Sequence, residues 1–245
     1  MSSFLVRLIV VPALIIACGL ALRETKAQVS ATAAQKTSPA AKPAKPPTTE
    51  RFAKEIAAFE DYDHKNAPPE NPTLFVGSST IRLWQTADAF PGLPVINRGF
   101  GGSTITDILH YADRIVFKYK PRQIVFYSGD NDLASGRTPD RVFADFQTFA
   151  NSVRERLPDT RIIYLAIKPS ASRWKHWPQM QDVNSRVKKL ADEPSNKLIY
   201  IDTAPALLAT DGQPRNELFR DDNLHMSPAG YAAWNKLLAP ALTTP

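Results

Sequence analysis

Cysteine is almost absent from this chain of 245 residues, and the one that it has, Cys18, lies near the amino terminus. A single cysteine cannot form an intramolecular disulfide, and the rest of the chain has no thiolate to offer a structural zinc site. Any domain that follows must therefore depend on its hydrophobic core for stability. The length suits one such domain with appended segments.

Acidic residues are scarce in the first 50 positions, where only Glu24 and Glu50 occur among the 24 of the whole chain. The same stretch holds six of the 30 lysines and arginines, which leaves 24 basic and 22 acidic side chains for residues 51–245. That remainder carries +2 of the total charge of +6. The basic balance belongs to the amino-terminal segment, so it gives no reason to expect nucleic-acid binding.

Long apolar runs are few, and the most continuous one extends from Leu8 to Leu22. About fifteen residues fall short of the ~20 that a membrane-spanning helix needs. Small residues flank the lysine of Thr25-Lys26-Ala27, as at a signal cleavage site. Residues 1–27 are therefore predicted to be a removed signal peptide, and the protein to be periplasmic or secreted. Lipoprotein anchoring through Cys18 is the alternative, disfavoured because the apolar run continues past it.

Large apolar side chains are missing from residues 30–50, which consist mainly of alanine, threonine, lysine, proline and serine. Such a composition cannot bury enough apolar surface to offset the entropy of ordering the chain. Residues 28–50 are predicted to be a disordered linker. Residues 51–245 show no repeat and no second change of composition, so they are predicted to form a single domain.

What this domain does contain is an alternation of short β-branched runs with longer amphipathic stretches. Five runs predict strands, at residues 73–76, 95–97, 123–127, 161–167 and 197–201. Helical patterns occupy residues 51–61, 105–117, 139–156, 178–191 and 228–238, the last capped by Ser227 with proline in its first turn. The alternation predicts a parallel sheet with helices on both faces. In such sheets ligands bind beyond the carboxyl ends of the strands.

The most informative motif is Asp222-Asn223-Leu224-His225, just before the last predicted helix. On one tight turn, Asp222 can accept a hydrogen bond from His225 Nδ1 and leave Nε2 free to take a proton from a serine. Metal ligation is the competing role for His225, disfavoured because the domain has no cysteine and no second histidine nearby in sequence. The remaining histidines are expected to be structural: His64, His110 and His176.

A serine that could give up its proton to this histidine is Ser79, in the segment Gly77-Ser78-Ser79-Thr80 after the first predicted strand. The glycine permits a tight turn and places Ser79 at or near a helix N-terminus. An anion that forms there would be stabilised by the helix dipole. An ordinary helix cap is the competing interpretation, with Ser78 as the capping residue.

A glycine-rich turn, Asn97 to Thr104, follows the second predicted strand. The backbone N–H of Gly101 or Gly102 could serve an oxyanion hole there. A dinucleotide fingerprint is disfavoured, because Thr104 stands where the third glycine belongs and no acidic residue follows ~20 positions later. A flexible loop without function stays open.

A fourth motif, Ser128-Gly129-Asp130-Asn131-Asp132, follows the third predicted strand. The side-chain amide of Asn131 could donate a hydrogen bond to a developing oxyanion. The same composition is common in ordinary turns. A calcium loop is disfavoured, since the run lacks the spaced acidic ligands and the terminal glutamate.

Together, the order and spacing of the four motifs resemble the four blocks of the SGNH/GDSL hydrolase family, from about residue 73 to residue 238. The resemblance implies a three-layer α/β/α, flavodoxin-like fold, in agreement with the strand pattern. It also implies the following roles: Ser79 as nucleophile, Asp222 and His225 as the rest of the triad, and Gly102 with Asn131 and the Ser79 N–H as the oxyanion hole. Ser78 departs from the family, which has aspartate there, but that aspartate is not a triad member.

We therefore expect an exported serine esterase that hydrolyses small O-acyl esters through an acyl-enzyme, without a cofactor or metal ion. Acetylated sugars, lysophospholipids and simple esters all stay open as substrates, and no nucleic acid or stable protein partner is expected. One alternative is a non-catalytic glycan- or lipid-binding domain of the cell envelope, disfavoured by the presence of all four motifs. A nucleotide-binding flavodoxin-like protein is disfavoured by the defective glycine motif and the export signal.

The loop at residues 168–177 is the feature that bears most on substrate choice. It carries two tryptophans and several basic side chains, which suit a sugar face or an anionic head group. The competing interpretation is a surface loop whose tryptophans pack on the following helix.

Overall fold

A computed structural model describes residues 51–243 of the chain. The predicted signal peptide and linker, residues 1–27 and 28–50, lie outside this part and stay predictions. No helix between residues 51 and 243 is long and apolar enough to cross a membrane.

One parallel sheet of five strands organises the described residues, with the strand order β2-β1-β3-β4-β5. The strands are β1 (Thr73–Gly77), β2 (Val95–Gly99), β3 (Gln123–Tyr127), β4 (Arg161–Leu165) and β5 (Leu198–Ile201). The prediction of a flavodoxin-like, five-stranded parallel sheet is confirmed, since this order is that of the flavodoxin-like fold. β4 ends two residues earlier than predicted, because both main-chain groups of Ile167 bond to the Asn184 side chain instead of a strand.

Helices cover both faces of this sheet. They are α1 (Ala53–Lys65), α2 (Ser79–Arg82), α3 (Thr86–Ala89), α4 (Ile105–Ile115), α5 (Asp130–Ala134), α6 (Pro139–Arg156), α7 (Trp177–Ala191), α8 (Ala204–Leu207) and α9 (Pro228–Thr243). The five long helices coincide with the predicted ones to within a few residues at most ends, although α9 continues to Thr243. Of the four short helices, the sequence predicts only the start of α2, at or near Ser79, because a single turn is too short to show a helical period.

The two hydrophobic layers lie on opposite faces of the central strands. Every residue of β1 and β3 is buried, as expected for strands with helices on both sides. Because successive side chains of a strand point to opposite faces, Leu74 and Val76 pack with α4, α6 and α7, whereas Phe75 packs with α9 and Trp84. The three-layer α/β/α prediction is thereby confirmed.

Candidate active site

The chain turns sharply after β1, and glycine is required at that turn. Gly77 has φ of 157°, and a Cβ there would lie 2.0 Å from the carbonyl oxygen of Tyr127 on the neighbouring strand. Ser79 then begins α2, so its N–H has no acceptor within the helix. Ser78 occupies the N-cap position, but its buried hydroxyl makes no capping hydrogen bond. The interpretation of Ser78 as a side-chain cap is therefore wrong.

The structure brings Ser79, His225 and Asp222 together at the carboxyl edge of the sheet. Ser79 Oγ lies 2.9 Å from His225 Nε2, and His225 Nδ1 lies 2.5 Å from Asp222 Oδ2. A carboxylate only accepts hydrogen bonds, so Nδ1 carries the proton and Nε2 of the neutral ring is the acceptor for the serine hydroxyl. The His225 side chain is 25% exposed, which leaves it accessible to a ligand.

The turn that holds Asp222 and His225 explains their relative position. Asn223 has φ of 53°, a left-handed conformation that asparagine tolerates. The Asp222 Oδ1 atom accepts the main-chain N–H groups of Leu224 and His225, both at 2.9 Å. Burial opposes ionisation, but the hydrogen bonds from the His225 ring and the two N–H groups lower the pKa of Asp222 to about 2. Asp222 is therefore a carboxylate at neutral pH.

The adjacent carboxyl group, Asp221, does not take part in this arrangement. Within the described residues, its contact with the turn is a hydrogen bond from the Asn223 side chain to its main-chain carbonyl, at 3.4 Å. The side chain points to solvent, as the residue is exposed. Asp221 thus offers a control for any experiment on Asp222.

The glycine turn and Asn131 supply candidate hydrogen-bond donors beside Ser79. Gly101 N–H is directed at Glu55 Oε1, at 3.4 Å, whereas Gly102 N–H has no acceptor among residues 51–243. Gly102 also has φ of 74°, which favours glycine. The Asn131 amide donates one of its two N–H groups to the Ser103 carbonyl, at 3.1 Å, and so keeps the other for a ligand.

Asp132 is a residue of the site whose role could not be inferred from its motif alone. It is fully buried and accepts the N–H of Ile105, the first residue of α4, on both oxygens at 3.2 Å. Burial raises the pKa of Asp132 to about 7, against the opposing effect of Arg137. The carboxyl group thereby connects the start of α4, which follows the glycine turn, with α5, which carries Asn131.

Lys168 is the second residue whose place the sequence did not reveal. It was expected at the start of an exposed basic loop, but its side chain is fully buried. The Nζ atom lies 3.3 Å from Thr80 Oγ1, 3.2 Å from Tyr127 Oη and 3.5 Å from Asp130 Oδ2. Burial lowers the pKa of Lys168, and the charge of Asp130 opposes this effect. One buried ammonium therefore connects the ends of β1, β3 and β4 beneath Ser79.

The segment at residues 168–177, predicted as a loop, is largely helical. Residues Ala171–His176 form a 3₁₀ helix, which is called the 171–176 segment below, and α7 begins at Trp177. The Trp174 and Trp177 rings stack with centroids 6.0 Å apart. The Ser172 N–H donates to the Asn223 carbonyl at 3.1 Å, and the segment also packs against α5. The segment therefore contacts both the Asp222–His225 turn and α5, the helix of Asn131.

The other histidines lie apart from Ser79. His64 is exposed in the last turn of α1, His110 packs edge-on against Tyr111, and His176 is bonded to Gln179. Among the described residues, no three histidine, cysteine or acidic side chains converge as metal ligands would. A cleft of about 470 Å³ lies between α1 and β2, but Ser79 does not line it.

The chain is similar to known proteins in sequence and in fold. The profile of the GDSL-like lipase/acylhydrolase family matches residues 78–233. Platelet-activating factor acetylhydrolase IB subunit alpha1 of Bos taurus is 26% identical in an alignment over 196 residues that covers 74% of this chain and 80% of the relative.

Two solved structures illustrate the likeness of fold. A GDSL-like lipase of Bacteroides thetaiotaomicron superposes with a TM-score of 0.63 at 21% identity, covering 80% of this chain and 97% of its own. A catalytic mutant of an acetylxylan esterase of Geobacillus stearothermophilus superposes with a TM-score of 0.60 at 16% identity, covering 71% and 95%. At these identities the superpositions support the fold.

Proposed function

Because this chain belongs to the GDSL-like lipase/acylhydrolase family, we propose that it is an exported serine esterase that cleaves small O-acyl esters through an acyl-enzyme. The observation that carries the proposal is the continuous line of hydrogen bonds from Ser79 Oγ through the His225 ring to Asp222. This is the geometry by which a histidine activates a serine. Export rests on the signal pattern of residues 1–27.

In the first half of the reaction, Ser79 Oγ attacks the ester carbonyl while His225 Nε2 takes the serine proton. The positive charge that develops on the imidazole is stabilised by Asp222, which also holds the ring in the correct orientation. The tetrahedral intermediate then collapses: its bond to the alcohol oxygen breaks, and His225 returns the proton to that oxygen. The acyl group stays on Ser79 until water, activated by the same histidine, releases it as a carboxylic acid.

Three donors are proposed to hold the oxyanion: the N–H groups of Ser79 and Gly102 and the free amide N–H of Asn131. Of the two adjacent glycines, Gly102 is the better candidate because its N–H has no other acceptor in the described residues, whereas Gly101 faces Glu55. A single donor of this kind typically contributes about 3–4 kcal/mol to transition-state stabilisation.

A small acyl group is the substrate feature that the comparisons favour. The bovine relative is named an acetylhydrolase and the Geobacillus protein an acetylxylan esterase, so the names of both refer to acetyl groups. We propose acetyl or similarly short acyl esters for this chain. The alcohol could be a sugar, a glycerol-based lipid or a simple alcohol.

The test is covalent labelling combined with kinetics on the purified protein. A serine-directed phosphonate should add one label, on the peptide that contains Ser79. Ser79→Ala should slow ester hydrolysis at least about a thousandfold. Ser78→Ala is the matched control, because Ser78 is buried without a hydrogen bond, and it should keep most of the activity.

Two results would contradict the proposal. A label on Ser78 or Ser103 would assign the nucleophile elsewhere. Absence of hydrolysis across acyl esters of increasing chain length, in a folded protein, would favour the non-catalytic binding domain instead.

A further inference from the structure

Arg173 differs from the other arginines in its surroundings. Among residues 51–243, every other arginine donates a side-chain hydrogen bond or forms an ion pair, but none is found for Arg173. Its Nε–H is inaccessible to solvent and has no acceptor. A buried donor without a partner is destabilising, so an unpaired arginine of this kind calls for an explanation.

The sequence around Arg173 offers it no counter-ion. Residues 168–181 contain three basic side chains, Lys168, Arg173 and Lys175, together with His176, and no acidic one. The first carboxylate beyond them, Asp182, is bound by Arg186. The positive charge of Arg173 is therefore left unpaired by its own segment.

The position of Arg173 relates this charge to the active site. The preceding residue, Ser172, donates its N–H to Asn223 in the turn that holds Asp222 and His225. Arg173 also influences the buried Lys168. Burial is the main cause that lowers the pKa of Lys168, and the charge of Arg173 lowers that pKa further. Arg173 thus acts on a cation that contacts Thr80, the neighbour of Ser79.

The chemistry of the guanidinium group defines what it would bind. Its N–H donors form a rigid planar fork that matches two oxygens of a carboxylate, a phosphate or a sulfate. An anion of this kind would accept the buried Nε–H and neutralise the charge. A neutral sugar hydroxyl would accept the Nε–H but would leave the charge unpaired.

The proton transfer determines where the alcohol part of the bound ester, and any anionic group on it, must lie. In the proposed function, on which this inference rests, His225 gives its proton to the oxygen of the departing alcohol. The alcohol part of the ester must therefore lie on the His225 side of the scissile carbon. The 171–176 segment contacts the His225 turn through the hydrogen bond from Ser172 to Asn223.

We propose that Arg173 binds an oxyanion group on the alcohol part of the ester, and that the enzyme selects esters whose alcohol carries a carboxylate, phosphate or sulfate. Arg173 is then a specificity-determining residue. It contributes to substrate binding more than to the chemical step, because the charged group is already present in the ground state.

The experiment compares matched pairs of acetate esters that differ in one charge. One pair is 4-acetoxybenzoate and its methyl ester, and the other is acetylglycerol phosphate and acetylglycerol. The two pairs separate a carboxylate from a phosphate as the preferred anion. kcat and KM are measured for the unaltered protein, for Arg173→Met and for Lys175→Met, an exposed cation of the same segment that serves as the control.

The unaltered protein should prefer the charged member of at least one pair. Arg173→Met should lower kcat/KM for that ester about 10- to 100-fold, chiefly through KM, since hydrogen bonds to charged groups have this strength. The neutral esters should change less than about twofold, as should every ester with Lys175→Met. The preference should also decrease as the salt concentration rises.

Equal rates for charged and neutral members in both pairs would overturn the inference, and so would an equal loss on all esters with Arg173→Met. Hydrolysis of neutral esters that depends on Ser79 would leave the proposed function intact in either case. Calorimetric binding of 4-hydroxybenzoate and of glycerol phosphate gives a readout without catalysis. Binding that is undetectable, or equal in the unaltered protein and Arg173→Met, would also count against the inference.

Discussion

Lys168→Met tests whether the buried ammonium beneath Ser79 has a structural and a kinetic role. Methionine has a similar length and no charge, so the change removes the contacts to Thr80 Oγ1, Tyr127 Oη and Asp130 Oδ2 with little loss of volume. The Asp130 carboxylate then stays buried without its cation.

The expected loss of stability follows from these contacts. Removing one partner of a buried ion pair costs about 3–5 kcal/mol. Asp130 keeps the hydrogen bonds from the Tyr127 hydroxyl and the Asn131 N–H, so we expect about 3 kcal/mol, the lower end of that range. Most of it should return in the double variant Lys168→Met, Asp130→Asn, where no unpaired charge is buried.

The kinetic effect should differ from the effect on stability. Lys168 connects the turn of Ser79 with the segment of Asn131, so its loss allows the nucleophile and the oxyanion donors to separate. We expect kcat to decrease about 10- to 100-fold with KM little changed, because small misplacements of reacting groups have effects of this size. The double variant should regain stability but not kcat, since Thr80 Oγ1 still lacks its contact with Lys168.

The matched control is Thr73→Val, at the opposite end of the same two strands. Thr73 Oγ1 accepts a hydrogen bond from Gln123 Nε2 at 2.7 Å in a fully buried pair between β1 and β3. Its loss should cost about 1 kcal/mol and leave kcat unchanged.

Urea unfolding and steady-state kinetics test these expectations. Both are measured on the unaltered protein, Lys168→Met, the double variant and Thr73→Val. The reasoning is refuted if Lys168→Met unfolds within about 0.5 kcal/mol of the unaltered protein, as a surface substitution would. A loss of kcat in Thr73→Val equal to that in Lys168→Met would also refute it, since reduced stability alone would then explain the kinetics.

Three further predictions concern the carboxylates and the amide of the site. Asp222→Asn should lower kcat about 10⁴-fold with the fold intact by circular dichroism, whereas Asp221→Asn should keep most activity; the opposite ranking would assign the relay to the wrong carboxylate. Asn131→Ala should lower kcat about 10²- to 10³-fold through loss of an oxyanion donor, and an unchanged kcat would remove Asn131 from that role. Because burial raises the pKa of Asp132 from 3.8 to about 7, the native state binds its proton more tightly than the unfolded chain does. The free energy of unfolding should therefore decrease as pH rises from about 4 to about 7. Urea unfolding at these two pH values should show that Asp132→Asn abolishes the decrease. An identical pH dependence in the variant and the unaltered protein would contradict the raised pKa of Asp132.

Local patterns in the sequence determined most of the fold. The five strands and the five long helices each contain enough residues to show a period of about 2 or 3.6, so their existence could be predicted without any tertiary information. The Asp222–His225 contact was likewise predictable, because three residues on one turn bring the two side chains together whatever surrounds them. Short helices such as α3 and α5 were missed, since one turn shows no period.

Contacts between distant parts of the chain were decided by the tertiary structure. Ser79 and His225 are 146 residues apart, and their 2.9 Å contact depends on the strand order that places both turns at one edge of the sheet. The preference for Gly102 over Gly101 depends on Glu55, which arrives from α1.

Charge was the property that sequence alone described least well. Lys168 and Arg173 both belong to a basic stretch that, read as a sequence, looks uniformly exposed. In the fold, Lys168 lies beneath the nucleophile turn with Asp130 as its partner, whereas Arg173 has none among the described residues. The burial and the pairing of a basic side chain depend on its neighbours. Here the packing of β1, β3 and β4 with their connecting segments brings those neighbours together. For that physical reason the sequence determined the catalytic motifs, and the tertiary structure decided which charges surround them.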